Sequence, residues 1–159
     1  MSYDDLRKGR HSQKNRIYSV TTVTNNRHPL FQEFTAARLL VGEMRHLHIN
    51  GQVVSLAWVI MPDHLHWLMQ LNGESSISDV VKTLKGRSSR CINQTLGRQS
   101  GLWQRAFHER AVRREDNIRN IARYIVANPL RAGLVSDMRD YSHWDCVWVG
   151  GADLGFLGE

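Results

Sequence analysis

Cysteine is nearly missing from this chain. Cys91 and Cys146 are the only two in 159 residues, which excludes a disulfide framework and a cysteine-rich zinc site and leaves both as packing residues. No apolar run approaches the roughly 20 residues that cross a bilayer, and the polar, basic stretch Met1 to Arg16 has no apolar segment of the kind a signal peptide carries. The expected location is therefore cytoplasmic and nucleoid-associated. Internal repeats and low-complexity segments are absent too. Acidic residues are outnumbered, 15 against 21 Lys and Arg, giving a formal charge of +6 that points to a polyanionic partner such as nucleic acid. What is present, 42% hydrophobic residues including five tryptophans, suffices for one domain with a sizeable core.

Hydrophobic periodicity divides the chain. Ile17 to Thr24 is rich in β-branched residues and reads as a strand ended by Asn25-Asn26. From Phe31 to His48 the spacing of Phe34, Ala37, Leu40, Val41, Met44 and Leu47 predicts a helix, stopped by Asn50-Gly51. Val53 to Ile60 is a second strand, turned by Pro62-Asp63 into a third. Ser75 to about Leu96 reads as a second helix, within which Gly86-Arg87-Ser88-Ser89 is a candidate break, and Leu102 to Arg113 as extended chain. The order β-α-β-β-α-β predicts an α+β fold, a ferredoxin-like antiparallel sheet covered by helices. A third helix is expected from Asp116 as N-cap to Asn128, where Pro129 disfavours helical geometry. The organisation expected is a basic segment (1–16), a main domain (17–135) and an aromatic tail (136–159).

The most informative stretch is Met61-Pro62-Asp63-His64-Leu65-His66-Trp67-Leu68. Alternation in a strand puts His64 and His66 on one face and Leu65, Trp67, Met69 and Leu71 on the other. Two imidazoles on one face can bind one metal ion while the apolar face packs on helices, although an isolated His-x-His is as readily a pair of hydrogen-bonded strand histidines. Tyr124 and Asn128 lie one turn apart on the polar side of the third helix, whose apolar stripe is Ile118, Ile121, Ala122 and Ile125. If these groups converge, His64 and His66 with the Asn128 amide oxygen suit a hard divalent cation, and Tyr124 suits nucleophilic attack on phosphate. Taken singly, Tyr124 reads equally as a half-buried aromatic and Asn128 as a helix-terminal residue before proline.

That histidine stretch, followed by Gly101-Leu102-Trp103-Gln104 and then Tyr124-Ile125-Val126-Ala127-Asn128-Pro129-Leu130-Arg131-Ala132-Gly133-Leu134-Val135, resembles the REP-associated tyrosine transposases. These are single-tyrosine transposases of the His-hydrophobe-His (HUH) endonuclease superfamily. The resemblance runs from about Ile17 to Trp148. It implies that His64 and His66 bind the metal, magnesium or manganese, that Asn128 completes the site, and that Tyr124 is the nucleophile. It also implies cleavage of single-stranded DNA at repetitive extragenic palindrome hairpins through a 5′-phosphotyrosine linkage. Asp63 stands where the family often has asparagine, which bears on the local turn.

Two basic groups are candidate DNA contacts: Lys82, Lys85, Arg87 and Arg90 on the second helix, and Arg105, Arg110, Arg113 and Arg114 around the last strand. The N-terminal Arg7, Lys8, Arg10, Lys14 and Arg16 could add specificity. His108 and Glu109 read as surface residues, and Tyr141, His143, Trp144 and Trp148 as a segment docked on the domain. A non-catalytic hairpin-binding regulator and a replication-initiator or relaxase-type nickase are the alternatives. Either a monomer or a homodimer is compatible with the sequence.

Overall fold

Five antiparallel strands form one sheet in a computed structural model that describes residues 15–113 and 116–148. The strands are β1 (Ile17–Val23), β2 (Val53–Met61), β3 (His64–Leu71), β4 (His108–Ala111) and β5 (Trp144–Cys146), in the order β4-β1-β3-β2-β5. The first four, with helices α1 (Phe34–Ile49) and α2 (Ile77–Leu96), make the expected β-α-β-β-α-β unit. Met61 pairs with His64, so Pro62-Asp63 alone turns β2 into β3. β3 is thereby central, hydrogen-bonded to β1 on one side and β2 on the other.

Alternation along β3 supplies two cores. Leu65, Trp67, Met69 and Leu71 face α1 and α2, where they meet Leu40 and Met44 of α1 and Val80, Val81 and Leu84 of α2. Each such side chain removed from water contributes roughly 1.5–3 kcal/mol. The Trp67 indole is satisfied there, Nε1 donating to Ser55 Oγ at 2.9 Å. α1 begins at Phe34, after a 3-10 turn at Leu30–Gln32, and is stopped where Gly51 takes a left-handed φ of +76°. α2 starts at Ser76, whose side chain accepts from the Asp79 N–H, and runs unbroken for 20 residues. The candidate break at Gly86-Arg87-Ser88-Ser89 is helical throughout. Ser88 is buried and accepts the Trp103 indole N–H at 3.0 Å, so this stretch is tied into the core rather than left to its propensity.

The opposite face is covered by α3 (Ile118–Val126), which lays Ala122, Ile125 and Val126 on Ala57, Val59, Met61 and Leu68. Its cap is Asn117, whose side chain accepts from the Asn120 N–H at 3.1 Å. Asp116, the expected cap, instead accepts from the Arg113 N–H at 2.9 Å and pairs with Arg110. α3 also stops two residues early. Asn128 opens a separate one-turn helix, α4 (Asn128–Arg131), because Pro129 disfavours helix in the residue before it yet suits a first turn.

The C-terminal aromatic stretch is tied to the domain over its described part. β5 pairs with β2 through Ala57–Cys146, Trp58–Asp145 and Val59–Trp144. The Tyr141 hydroxyl donates to Ile60 O, and Trp144 Nε1 donates to Met138 O at 3.0 Å. Residues 149–159 lie outside the described residues.

Candidate nucleophile and histidine site

Sheet register builds this site. Within β1, Thr21 is directly opposite His66, so its Oγ1 reaches His66 Nδ1 at 2.7 Å. The β2–β3 turn puts Asp63 beside His64, whose Nδ1 donates to the carboxylate at 2.6 Å. Arg27 reaches the other carboxylate oxygen at 3.3 Å. Arg27 and Asn26 both take left-handed φ values, +49° and +56°, a conformation that for arginine stores about 1 kcal/mol of strain and persists only where surroundings hold it. Burial alone would raise the Asp63 pKa. The hydrogen bond and charge of His64, with the pairing to Arg27, outweigh it and hold the carboxyl below its ordinary value.

The two imidazole rings stand 4.8 Å apart at 89°. Each has Nδ1 engaged, so Nε2 is the nitrogen left to each ring for a cation. Burial first, then the charges of His64 and Arg131, lower the His66 pKa to about 4. His66 is therefore neutral at neutral pH, the protonation state a metal ligand requires.

α3 packs on the face that carries both histidines. Tyr124 projects from it and is 66% exposed, an unusual state for a large aromatic. The Arg131 guanidinium lies over its ring, 3.7 Å from the centroid. The Asn128 side-chain amide donates to Ile125 O at 2.9 Å, which fixes the amide and leaves its oxygen as the group that can accept or ligate. Among the described residues no three His, Cys, Asp or Glu side chains are grouped to hold a metal.

The candidate DNA contacts fall into different environments. Lys82, Lys85, Arg87 and Arg90 sit on α2, across the sheet from the histidines. Lys85 Nζ donates to the carbonyls of Gln104, Arg105 and Ala106 and is partly buried, which lowers its pKa; it ties the loop before β4 to α2. Arg87 Nε binds Glu43 at 2.7 Å. Lys82, Arg90, Arg105 and Arg113 are exposed. Arg110 is opposite Ser19, on the histidine face, and pairs with Asp116 at 3.6 Å. His108 is opposite Thr21 and shares that face, while Glu109 is opposite Val20. Arg114 and the N-terminal Arg7, Lys8, Arg10 and Lys14 lie outside the described residues. Sequence reasoning missed Thr21, Arg27 and Arg131 as neighbours of the site. Only strand register could have revealed Thr21, and Arg131 was visible just as part of the motif after Tyr124.

A ferredoxin-like sheet with a His-x-His pair on its central strand, crossed on that face by a helix bearing an exposed tyrosine, defines a class, the tyrosine transposases. Comparison with known proteins gives the family. The family model described as "Transposase IS200 like" matches residues 12–128. A putative REP-associated tyrosine transposase of Haemophilus influenzae is 31% identical, with 66% of this chain and 72% of that protein covered. The REP-associated tyrosine transposase of Escherichia coli K12 is 28% identical over 54% of this chain, which spans about half of that relative's length (49%). The structure of a REP-associated tyrosine transposase bound to a REP hairpin superposes with a TM-score of 0.70 at 23% identity, covering 84% of this chain and 78% of that one. A putative transposase of Deinococcus radiodurans R1 has the same fold at a TM-score of 0.54 and 22% identity, covering 74% and 84%. The chain thus belongs to the IS200-like transposase family, in its REP-associated tyrosine branch. Among the described residues no helix is long and apolar enough to cross a membrane.

Proposed function

We propose that this chain nicks and rejoins single-stranded DNA beside palindromic REP hairpins, with Tyr124 as nucleophile. The observation that carries the reading is an exposed Tyr124 on the same sheet face as a histidine pair whose Nδ1 atoms are both held. Tyr124 Oη attacks the scissile phosphorus, a bond forms between them, and the phosphorus–O3′ bond breaks. The phenol gives up its proton, the departing 3′-oxygen gains one, and the DNA is left attached by a 5′-phosphotyrosine. A 3′-hydroxyl attacking that linkage reverses the step and joins strands. No water-derived product forms, and the energy of the phosphodiester is retained.

His64 Nε2, His66 Nε2 and the Asn128 amide oxygen fit a magnesium or manganese ion, and the mixed nitrogen and oxygen set suits manganese somewhat better. Bound there, such an ion supplies Lewis-acid polarisation of the phosphate. Thr21 and Asp63 orient the two rings, as hydrogen-bonded neighbours of ligating histidines commonly do.

The test incubates 3′-labelled single-stranded palindromic oligonucleotides from the source genome with the protein and manganese or magnesium. Wild type and Tyr124→Phe are compared on a denaturing gel. A labelled protein adduct formed by the wild type and missing in the variant is the expected result. Hairpin binding with no adduct under either metal would replace this reading with that of a non-catalytic hairpin-binding regulator.

A further inference from the structure

Arg131 has no part in the chemistry above, yet it lies directly against the proposed nucleophile. Its guanidinium covers the Tyr124 ring at 3.7 Å, and it closes the one-turn helix that Asn128 opens, so it stands beside both the proposed nucleophile and the proposed amide ligand. The space between nucleophile and histidine pair is where the scissile phosphate must lie if the proposed nicking reaction is correct, and this inference rests on that reading. Other basic groups nearby are already committed: Arg27 to Asp63 and Arg110 to Asp116. Among the described residues no carboxylate pairs with Arg131.

The stacking geometry matters chemically. A guanidinium stacked on an aromatic ring uses its π face, while its N–H donors point outward in the plane of the group. Tyr124 therefore consumes none of the donors, and the edge remains available for two parallel hydrogen bonds to phosphate oxygens. Lysine cannot do both, because its ammonium has no plane to stack. In phosphoryl transfer the negative charge sits on the non-bridging oxygens, where a fixed cation gains most.

We propose that Arg131 is a catalytic residue: its edge holds the non-bridging oxygens of the scissile phosphate while its face fixes the Tyr124 ring for in-line attack. One side chain then sets the distance between nucleophile and phosphorus.

The experiment measures single-turnover adduct formation on the hairpin oligonucleotide for wild type, Arg131→Ala and Arg131→Lys. Two substrates are used, one with the natural phosphodiester and one with a neutral methylphosphonate at the mapped scissile bond. Adduct formation is measured at saturating protein, with hairpin affinity and thermal melting recorded in parallel, and since Arg131 is exposed the melting temperature should stay near wild type. On the phosphodiester, Arg131→Ala should slow adduct formation by about 10²–10³-fold, with Arg131→Lys in between. On the methylphosphonate, with no charged oxygen left to hold, the gap between wild type and Arg131→Ala should shrink at least tenfold. An equal loss on both substrates would reduce Arg131 to shaping the helix, and no loss would remove it from the site; either overturns the proposal. These outcomes are read against a wild type that forms the adduct. Were the wild type itself inactive, the tyrosine-nicking reading would fail and this one with it.

Discussion

The two faces of the sheet are built from alternate residues of the same strands, yet they are finished differently. On one face Leu65, Trp67, Met69 and Leu71 are sealed beneath α1 and α2. On the other, α3 covers the sheet only in part, leaving His64 and His66 half-buried and Tyr124 exposed. Strand alternation thus gives β3 one face wholly sealed in the core and another on which Leu68 packs beneath α3 while His64 and His66 stay half-buried. The polar set is tolerated because each imidazole Nδ1 has a partner, Thr21 or Asp63, so its partial desolvation is compensated.

Adjacent residues of β3 give the largest test of this division. Trp67→Ala empties a site whose side chain is 0% exposed and orphans the Ser55 hydroxyl that the indole meets. The expected loss is about 3–5 kcal/mol, read as a fall in the urea midpoint at constant slope. His66→Ala, one residue away, should change stability by less than about 1 kcal/mol while eliminating adduct formation. Equal destabilisation by the two would mean that the histidine face is as much core as the other, and the comparison would break.

A smaller effect separates ring orientation from ligation. Thr21→Val keeps a β-branched residue of similar size in β1 and removes only the oxygen on His66 Nδ1. The manganese concentration giving half-maximal adduct formation should rise about 10–100-fold, with the rate recovered at saturating metal. A lowered ceiling with no change in metal requirement would place Thr21 on the DNA or in the packing instead.

This division between faces also explains what the sequence made legible. Periodicity located β1 to β3, α1 and α2, because each has one continuous apolar stripe, and alternation in His64-Leu65-His66-Trp67 placed the histidines opposite the core. Local signals failed where a distant partner decides. Gly86 to Ser89 looks like a helix breaker but is held by Trp103 binding Ser88. β5 is three residues long, too short for any period, and exists through its pairing with β2. Asp116 and Asn117 are both good caps, and the choice of Asn117 follows from Asp116 binding Arg113 and Arg110. Charge was the least legible property. Lys85 and Arg110 stand in similar basic runs, yet one anchors a loop through three carbonyls while the other lies on the histidine face.

The attachment of the C-terminal stretch to the histidine face should give the smallest effect. The Tyr141 hydroxyl donates to Ile60 O, and burial pushes its pKa up to about 12. Tyr141→Phe should lower stability at pH 7 by about 0.5–1.5 kcal/mol, the usual net value of one hydrogen bond. The pH dependence fixes the cause. An unfolded tyrosine ionises near 10, so between pH 10 and 12 the unfolded chain has lost the proton that the folded chain still keeps. Stability must therefore fall as pH rises through that window, and the advantage of wild type over Tyr141→Phe is fully present below about pH 10 and shrinks above it. Urea titrations of both proteins at several pH values, read as the difference between them, cancel the titration of the other groups. A difference constant up to pH 12 would show that the hydroxyl stabilises neither the 3-10 turn at Met138–Asp140 nor the edge strand beyond it through this bond, leaving the pairing of β5 with β2 as what holds the segment.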